Sequence, residues 1–128
     1  MVVYTNNKSD PLPKKVVLFS PISLPKYNLA SELPRSLKFG YINKKDVAEH
    51  LRMPRELYDV QFGEMNKNFK NLLGDSYIEV YLDLCDDEFC YHGKDNEIFF
   101  SDSNHLSENS LHHLVSSKRL LSNLLKNE

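Results

Sequence analysis

The chain has no tryptophan, no polybasic stripe and no apolar window near the ~18 residues that a bilayer-spanning helix needs. No internal repeat or low-complexity segment appears either, which excludes solenoids and fibrous arrays. The first thirteen residues, Met1 to Pro13, are polar and hold no apolar stretch of signal-peptide length. They read as a disordered segment or linker ahead of one globular unit over residues 14–128. With a net charge of −2, whole-chain electrostatics give no case for a nucleic-acid partner. The charge is unevenly divided: residues 1–70 carry an excess of five positive charges and residues 71–128 an excess of seven negative ones. Two solvated faces of opposite sign account for this, and a basic partner-binding surface is the alternative.

What is present, at 128 residues with 41% hydrophobic and 27% charged, suits one ordinary domain. Lys15-Val16-Val17-Leu18-Phe19, stopped by Ser20-Pro21, is apolar on both faces and reads as a buried, parallel strand. Residues 21–43 hold Pro21, Pro25 and Pro34, which argue against a helix interior and for a long surface loop. A helical pattern begins near Lys44, with Asn43 as N-cap and Pro54 as its break. Leu57, Tyr58, Val60, Met65, Phe69, Leu72 and Leu73 then recur at three- and four-residue steps, predicting a second helix packed on a core and ended by Gly74. Tyr77 to Leu84 alternates as a half-buried strand, with Asp83 at its end, and Glu97 to Phe100 is a shorter extended piece. An amphipathic helix over about 108–126, capped by Ser107, closes the chain. The order predicts a layered α/β domain, but with fewer strands than the five or six such sheets usually hold. The sheet looks incomplete.

Cys85 and Cys90 stand five positions apart, a spacing that a turn can close into a disulfide. A bridge would place the chain in an oxidising compartment. The alternatives are two reduced thiols, or a zinc site with His92, for which no second pair of ligands at suitable spacing follows. Asp102-Ser103-Asn104-His105 sits between a strand-like segment and the last helix. Three residues of separation on a tight loop can set carboxylate beside imidazole, with Asp102 holding the ring and His105 taking a proton from a hydroxyl nucleophile. A solvated Asp beside a surface His is the plainer reading of that spacing alone. His50 and His92 have no visible partner, His112 and His113 fall in the last helix with a solvated or cap-adjacent role as the default, and Tyr27, Tyr41 or Tyr91 could line a sugar-binding surface.

Taken together, Lys15 to Pro21, the helical stretch ending at Gly74, Tyr77 to Leu84, the cysteine pair, Phe99 to Ser107 and the closing helix resemble the C-terminal half of an SGNH domain. The resemblance covers roughly residues 14–126. It is strongest to the SGNH domains fused behind the membrane module of bacterial acyltransferase-3 proteins, which O-acetylate cell-surface polysaccharides. It implies a flavodoxin-like, three-layer α/β/α fold present only in its C-terminal half, with Asp102 and His105 as the acid and base of a Ser-His-Asp triad. It implies no cofactor or metal, and a periplasmic or cell-envelope setting that suits a Cys85–Cys90 bridge. Its partners would be the N-terminal half of the domain or a membrane acyltransferase module, with an acyl donor and a glycan acceptor as substrates.

In that family the nucleophile lies in a Gly-Asp-Ser block after the first strand, and the oxyanion donors in two further blocks ahead of the strand seen here at Lys15. Residues 1–14 hold none of these. The letters Gly74-Asp75-Ser76 do occur, but between a helix and a strand, the reverse of the strand-to-helix turn a nucleophile needs. Ser76 therefore reads as a turn residue. The expectation is an O-acyltransferase fragment, inactive alone, with the edge of Val16 to Phe19 left unpaired. A noncatalytic interaction module with a small α/β fold is the alternative from a different class.

Overall fold

A computed structural model describes residues 2–5, 15–95 and 97–126. Its centre is a three-stranded sheet of β1 (Val2–Thr5), β2 (Lys15–Phe19) and β4 (Tyr77–Ile78), in the order β1-β2-β4. β2 and β4 run parallel, with Leu18 opposite Tyr77 and Phe19 opposite Ile78, and the Ser20 N–H donates to the Ile78 carbonyl at 2.9 Å. Between them lie α1 (Leu29–Lys38), α2 (Val47–His50), β3 (Arg52–Pro54) and α3 (Arg55–Leu73). After β4 come α4 (Tyr81–Leu84), β5 (Phe89–Tyr91), β6 (Gly93–Lys94), β7 (Glu97–Ile98), a 3-10 helix (Glu108–His113) and α5 (Val115–Lys126). β3 pairs with β5 and β6 with β7, both antiparallel. The architecture is α/β, with a parallel crossover, a long-range antiparallel pair (β3 and β5) and one small hairpin (β6 and β7).

The main core joins Val17, Ile78, Val80, Leu84, Phe99, Phe100, Leu114 and Leu124, so β2, β4 and α5 bury one another. A second cluster unites Leu29, Leu33 and Leu51, and a third Tyr58, Tyr81 and Cys90. Cys85 and Cys90 are joined by a disulfide, which bridges the two sides of a turn. Asp86 shapes that turn. Its carboxylate accepts from the N–H groups of Glu88 and Phe89 and from the Tyr91 hydroxyl at 2.6 Å. The hydroxyl bond first, and the two backbone bonds next, hold its carboxyl down at about 2.

Several sequence expectations need correction. The linker reading of residues 1–13 does not extend to Val2–Thr5, which pair antiparallel with β2 from Val2↔Leu18 to Thr5↔Lys15; residues 6–13 lie outside the described residues. The edge of β2 is therefore paired. Residues 21–43 are not all loop, because α1 forms despite Pro34 in its interior. Asn28 caps it by accepting from the Ser31 N–H, and Leu29 and Leu33 are buried. Losing one helix bond to proline costs about 3 kcal/mol, whereas each buried leucine contributes roughly 1.5–3 kcal/mol. Packing wins.

The run Tyr77 to Leu84 stays extended only to Ile78. β2 ends at Phe19, ahead of Ser20 and Pro21, so no partner strand continues past Ile78, and the chain turns into α4 with the Tyr81 N–H donating to Ser20 Oγ. The stripe of α3 is also only partly core. Tyr58 and Asn66 face inward, whereas Leu57, Val60 and Leu72 are exposed, Val60 by 82%. Two adjacent apolar faces had merged into one pattern, because residues one step apart point about 100° from each other on a helix.

Gly74 ends α3 at φ 56°, ψ −127°, a backbone conformation that side chains with a Cβ resist. A Cβ there meets nothing within 4 Å, so Gly74→Ala isolates backbone strain and should lower stability by about 1–3 kcal/mol in urea unfolding. Gly63, inside α3 with only Asp59 Cβ nearby at 3.7 Å, is the opposite case. Gly63→Ala should raise stability by about 0.5–1 kcal/mol.

Candidate functional site

The loop after β7 is built by one carboxylate. Asp102 Oδ1 accepts from the N–H of Asn104 at 2.8 Å and of His105 at 2.7 Å, an Asx turn that bends the chain back on itself. Its other oxygen, Oδ2, lies 2.8 Å from His105 Nδ1. The base of the loop is closed by the Ser101 N–H donating to the His105 carbonyl at 2.8 Å and by an antiparallel bridge between Phe100 and Leu106. Ser107 occupies the N-cap position expected for it, but its hydroxyl donates to the Ile98 carbonyl instead of the helix. Residues 101–105 are thus tied down at both ends.

Asp102 titrates below the usual carboxylate range, because the Asn104 N–H and then the His105 ring stabilise its charged form. An ionised carboxylate only accepts hydrogen bonds, so Nδ1 carries the proton facing it. In the neutral ring Nε2 is then the basic nitrogen. The pair is solvent-facing, with the His105 side chain 72% exposed. As an ion pair it contributes little to stability at that exposure; its consequence is orientation of the ring.

His105 stands on the rim of a cleft of about 600 Å³. Phe19, Ile22, Val80, Leu106, Leu114 and Leu121 give it apolar walls, and Ser20 and Pro21 line it at the carboxyl end of β2. In open α/β sheets that end is where ligands bind. The walls are fixed by buried polar contacts. The Tyr58 hydroxyl donates to the Pro21 carbonyl at 2.6 Å, Asn66 Nδ2 donates to Tyr58, and the Tyr77 hydroxyl donates to Asn66 Oδ1. On the far side, Asp83 Oδ2 accepts from the Ser117 N–H at 2.9 Å, placing a carboxylate on the first turn of α5. Asp83 does not end a strand, as its pattern suggested; it anchors the helix that walls the cleft.

The other sequence candidates separate from this site. Ser76 lies in a 3-10 turn (Gly74–Ser76) after α3, and the element directly after it is the strand β4, not a helix. The cysteine sulfurs are bonded to each other, so they cannot serve as thiolate ligands beside His92. Among the described residues no group of three or more His, Cys, Asp or Glu is placed to hold a metal ion. His113 Nε2 lies 3.4 Å from a Glu97 carboxylate oxygen and its ring packs on Phe99.

Sequence reasoning missed one buried contact. His92 Nε2 lies 2.8 Å from Ser23 Oγ, whose single proton is donated to Met53 Sδ. Among the described residues no carboxylate joins them, and Ser23 and His92 are both buried, so the contact lies in the interior. Sixty-nine positions separate the partners, and no local pattern could have joined them.

A scan against protein families matches residues 11–116 to the SGNH domain that occurs fused to AT3 domains. The chain belongs to that family. It is thus an acyltransferase-associated SGNH module, as the resemblance implied, with an α/β fold to match. No curated protein and no solved structure gives a significant match. No helix among the described residues is long and apolar enough to cross a membrane.

Burial lowers the His92 imidazole from 6.5 to about 4. Between those values the unfolded chain binds a proton that the folded chain refuses, so stability rises with pH across the window. The full contribution is present above about pH 6.5 and is lost as pH falls toward 4, on the order of 3 kcal/mol. Urea midpoints measured from pH 7 to 4 should fall steeply for the wild type and less steeply for His92→Gln; equal slopes would contradict a buried neutral His92.

Proposed function

We propose that this chain supplies the acid and base of an O-acyltransferase whose nucleophilic serine comes from the front half of the SGNH domain, in the same longer protein or a separate one. The observation that carries the reading is the Asp102–His105 pair, oriented by a dedicated turn at the rim of an apolar cleft. His105 Nε2 would take the serine proton as the oxygen attacks the acyl carbonyl of the donor, and would return it to the departing group. A sugar hydroxyl would then give its proton to the same nitrogen, attack the acyl-serine and release the serine protonated. Asp102 stabilises the imidazolium in both halves without itself taking the proton.

Acetyl is the group the resemblance favours, and a cell-surface polysaccharide the acceptor. The Cys85–Cys90 disulfide supports an oxidising, periplasmic setting, beside a membrane acyltransferase module that would deliver the acyl group. No Gly-Asp-Ser among the described residues leaves a strand for a helix, which supports a nucleophile from outside them.

The test is turnover of a small activated acetyl ester. The chain alone should give no more than free imidazole. Adding the front half of an SGNH domain carrying Gly-Asp-Ser should produce turnover, which His105→Ala should lower by ~10³-fold or more without preventing assembly. Ser76→Ala should leave it nearly unchanged. Ester hydrolysis by the chain alone that disappears in His105→Ala would overturn the reading, as would an assembled pair without turnover.

A further inference from the structure

Tyr41 is held out in solvent by the turn that ends α1. The Tyr41 N–H donates to the Ser36 carbonyl at 2.9 Å and the Gly40 N–H to the Leu37 carbonyl at 3.3 Å, with Gly40 at φ 74°. Helix ends closed in this way commonly pack the residue after the glycine on an apolar side chain five positions back. Here that position holds Ser36, and Tyr41 stays 80% exposed. Phe39, the C-cap residue, is 59% exposed. The two ring centroids lie 6.1 Å apart with their planes tilted by 38°. A hydrogen-bonded turn thus fixes two aromatic rings in water, where they add nothing to the core.

The rings have polar company. Leu29 and Leu33 face the interior, while Glu32, Arg35, Ser36 and Phe39 follow one another at the three- and four-residue steps of a neighbouring face. With Tyr41 they line a cleft of about 350 Å³, which shares no residue with the cleft at His105. Among the described residues no ion pair joins Glu32 to Arg35.

That combination suits one chemistry. A pyranose ring presents C–H bonds on its faces, which pack on aromatic rings, and hydroxyls around its edge, which need acceptors and donors together. Glu32 accepts, Arg35 donates and Ser36 does either. A purely apolar ligand would cover both charges without satisfying them. An anionic lipid surface would lie across the cleft rather than enter it, and would meet the Glu32 carboxylate with like charge. Charge also selects among sugars: residues 32–46 hold Arg35, Lys38, Lys44 and Lys45 against Glu32 and Asp46, and a guanidinium grips a carboxylate through two parallel hydrogen bonds.

We propose that this face of α1 binds a sugar ring of an acidic glycan, stacked on Phe39 and Tyr41 and held at its edge by Glu32, Arg35 and Ser36. Binding there does not depend on the acyl-transfer reading. Under that reading the site would hold an acceptor chain at a sugar other than the one that reacts, since Leu29, Leu33 and Leu51 pack on Ile98, whose carbonyl accepts from Ser107 just past the Asp102–His105 loop.

The test is binding of defined oligosaccharides to the full chain, read by amide shifts in NMR titrations. The acidic probes are tetragalacturonate and a hyaluronan tetrasaccharide, the neutral probe is maltotetraose, and vesicles of phosphatidylglycerol with phosphatidylcholine represent a lipid surface. At least one acidic probe should shift the amides of residues 32–45 saturably and bind about fivefold or more tightly than maltotetraose, with the difference shrinking as salt rises. Tyr41→Ala should weaken that binding about fivefold or more, whereas Tyr41→Phe, which keeps the ring, should preserve it. Arg35→Gln should remove the preference for the acidic probe. Both positions are exposed, so the variants leave the core intact.

Failure of both acidic probes to bind overturns the proposal, as do saturable shifts confined to other residues, an acidic probe bound no better than maltotetraose, or Tyr41→Ala binding as wild type. Vesicle binding without oligosaccharide binding overturns it in favour of a lipid surface. The readout is binding to this chain alone, so absence of ester turnover leaves the proposal standing, and a glycan that fails to bind leaves acyl transfer to its own test.

Discussion

The site depends on one carboxylate that serves three donors. Asp102 spends one oxygen on the backbone of its own turn and the other on the His105 ring, so the loop conformation and the ring orientation are a single constraint. Loss of the carboxylate would release both, because the two N–H groups that define the turn would lose their acceptor together. The exposed imidazole keeps one orientation because the residue three positions earlier has already folded the chain around it. The cleft itself is held by a second carboxylate, Asp83, on the first turn of α5, and by the Tyr58–Asn66–Tyr77 chain beneath Pro21.

Legibility in the sequence follows the range of the interactions. The strand at Lys15–Phe19, the stop at Gly74, the cysteine turn and the Asp102–His105 spacing were readable because each depends on neighbours within a few residues. The turn from Ile78 into α4 was not, since it is set by where β2 runs out of partner backbone, some sixty residues earlier. Pro34 inside α1 misled for a similar reason: the burial that outweighs the proline involves Leu51 from another element. The two faces of α3 could not be told apart either, because apolar residues alone do not reveal which face meets the rest of the fold. Ser23 and His92 meet only in the folded chain.

Membership in the SGNH family, on its acyltransferase-fused branch, gives these parts a common sense. The parallel pair β2 and β4, the cleft at its carboxyl end and the oriented histidine lie together at one end of the sheet. The strand order β1-β2-β4 leaves β2 paired on both edges, antiparallel with β1 and parallel with β4.

The most direct measurement is the position of a covalent adduct. A fluorophosphonate probe reacts with a serine activated by an adjacent base, and peptide mass mapping then identifies which serine has reacted. With the front half of an SGNH domain added, the account predicts one adduct, on the serine of the Gly-Asp-Ser block of that half, abolished by His105→Ala in this chain and absent from either half alone. An adduct on Ser20, Ser23, Ser76 or any other serine of these 128 residues would contradict it.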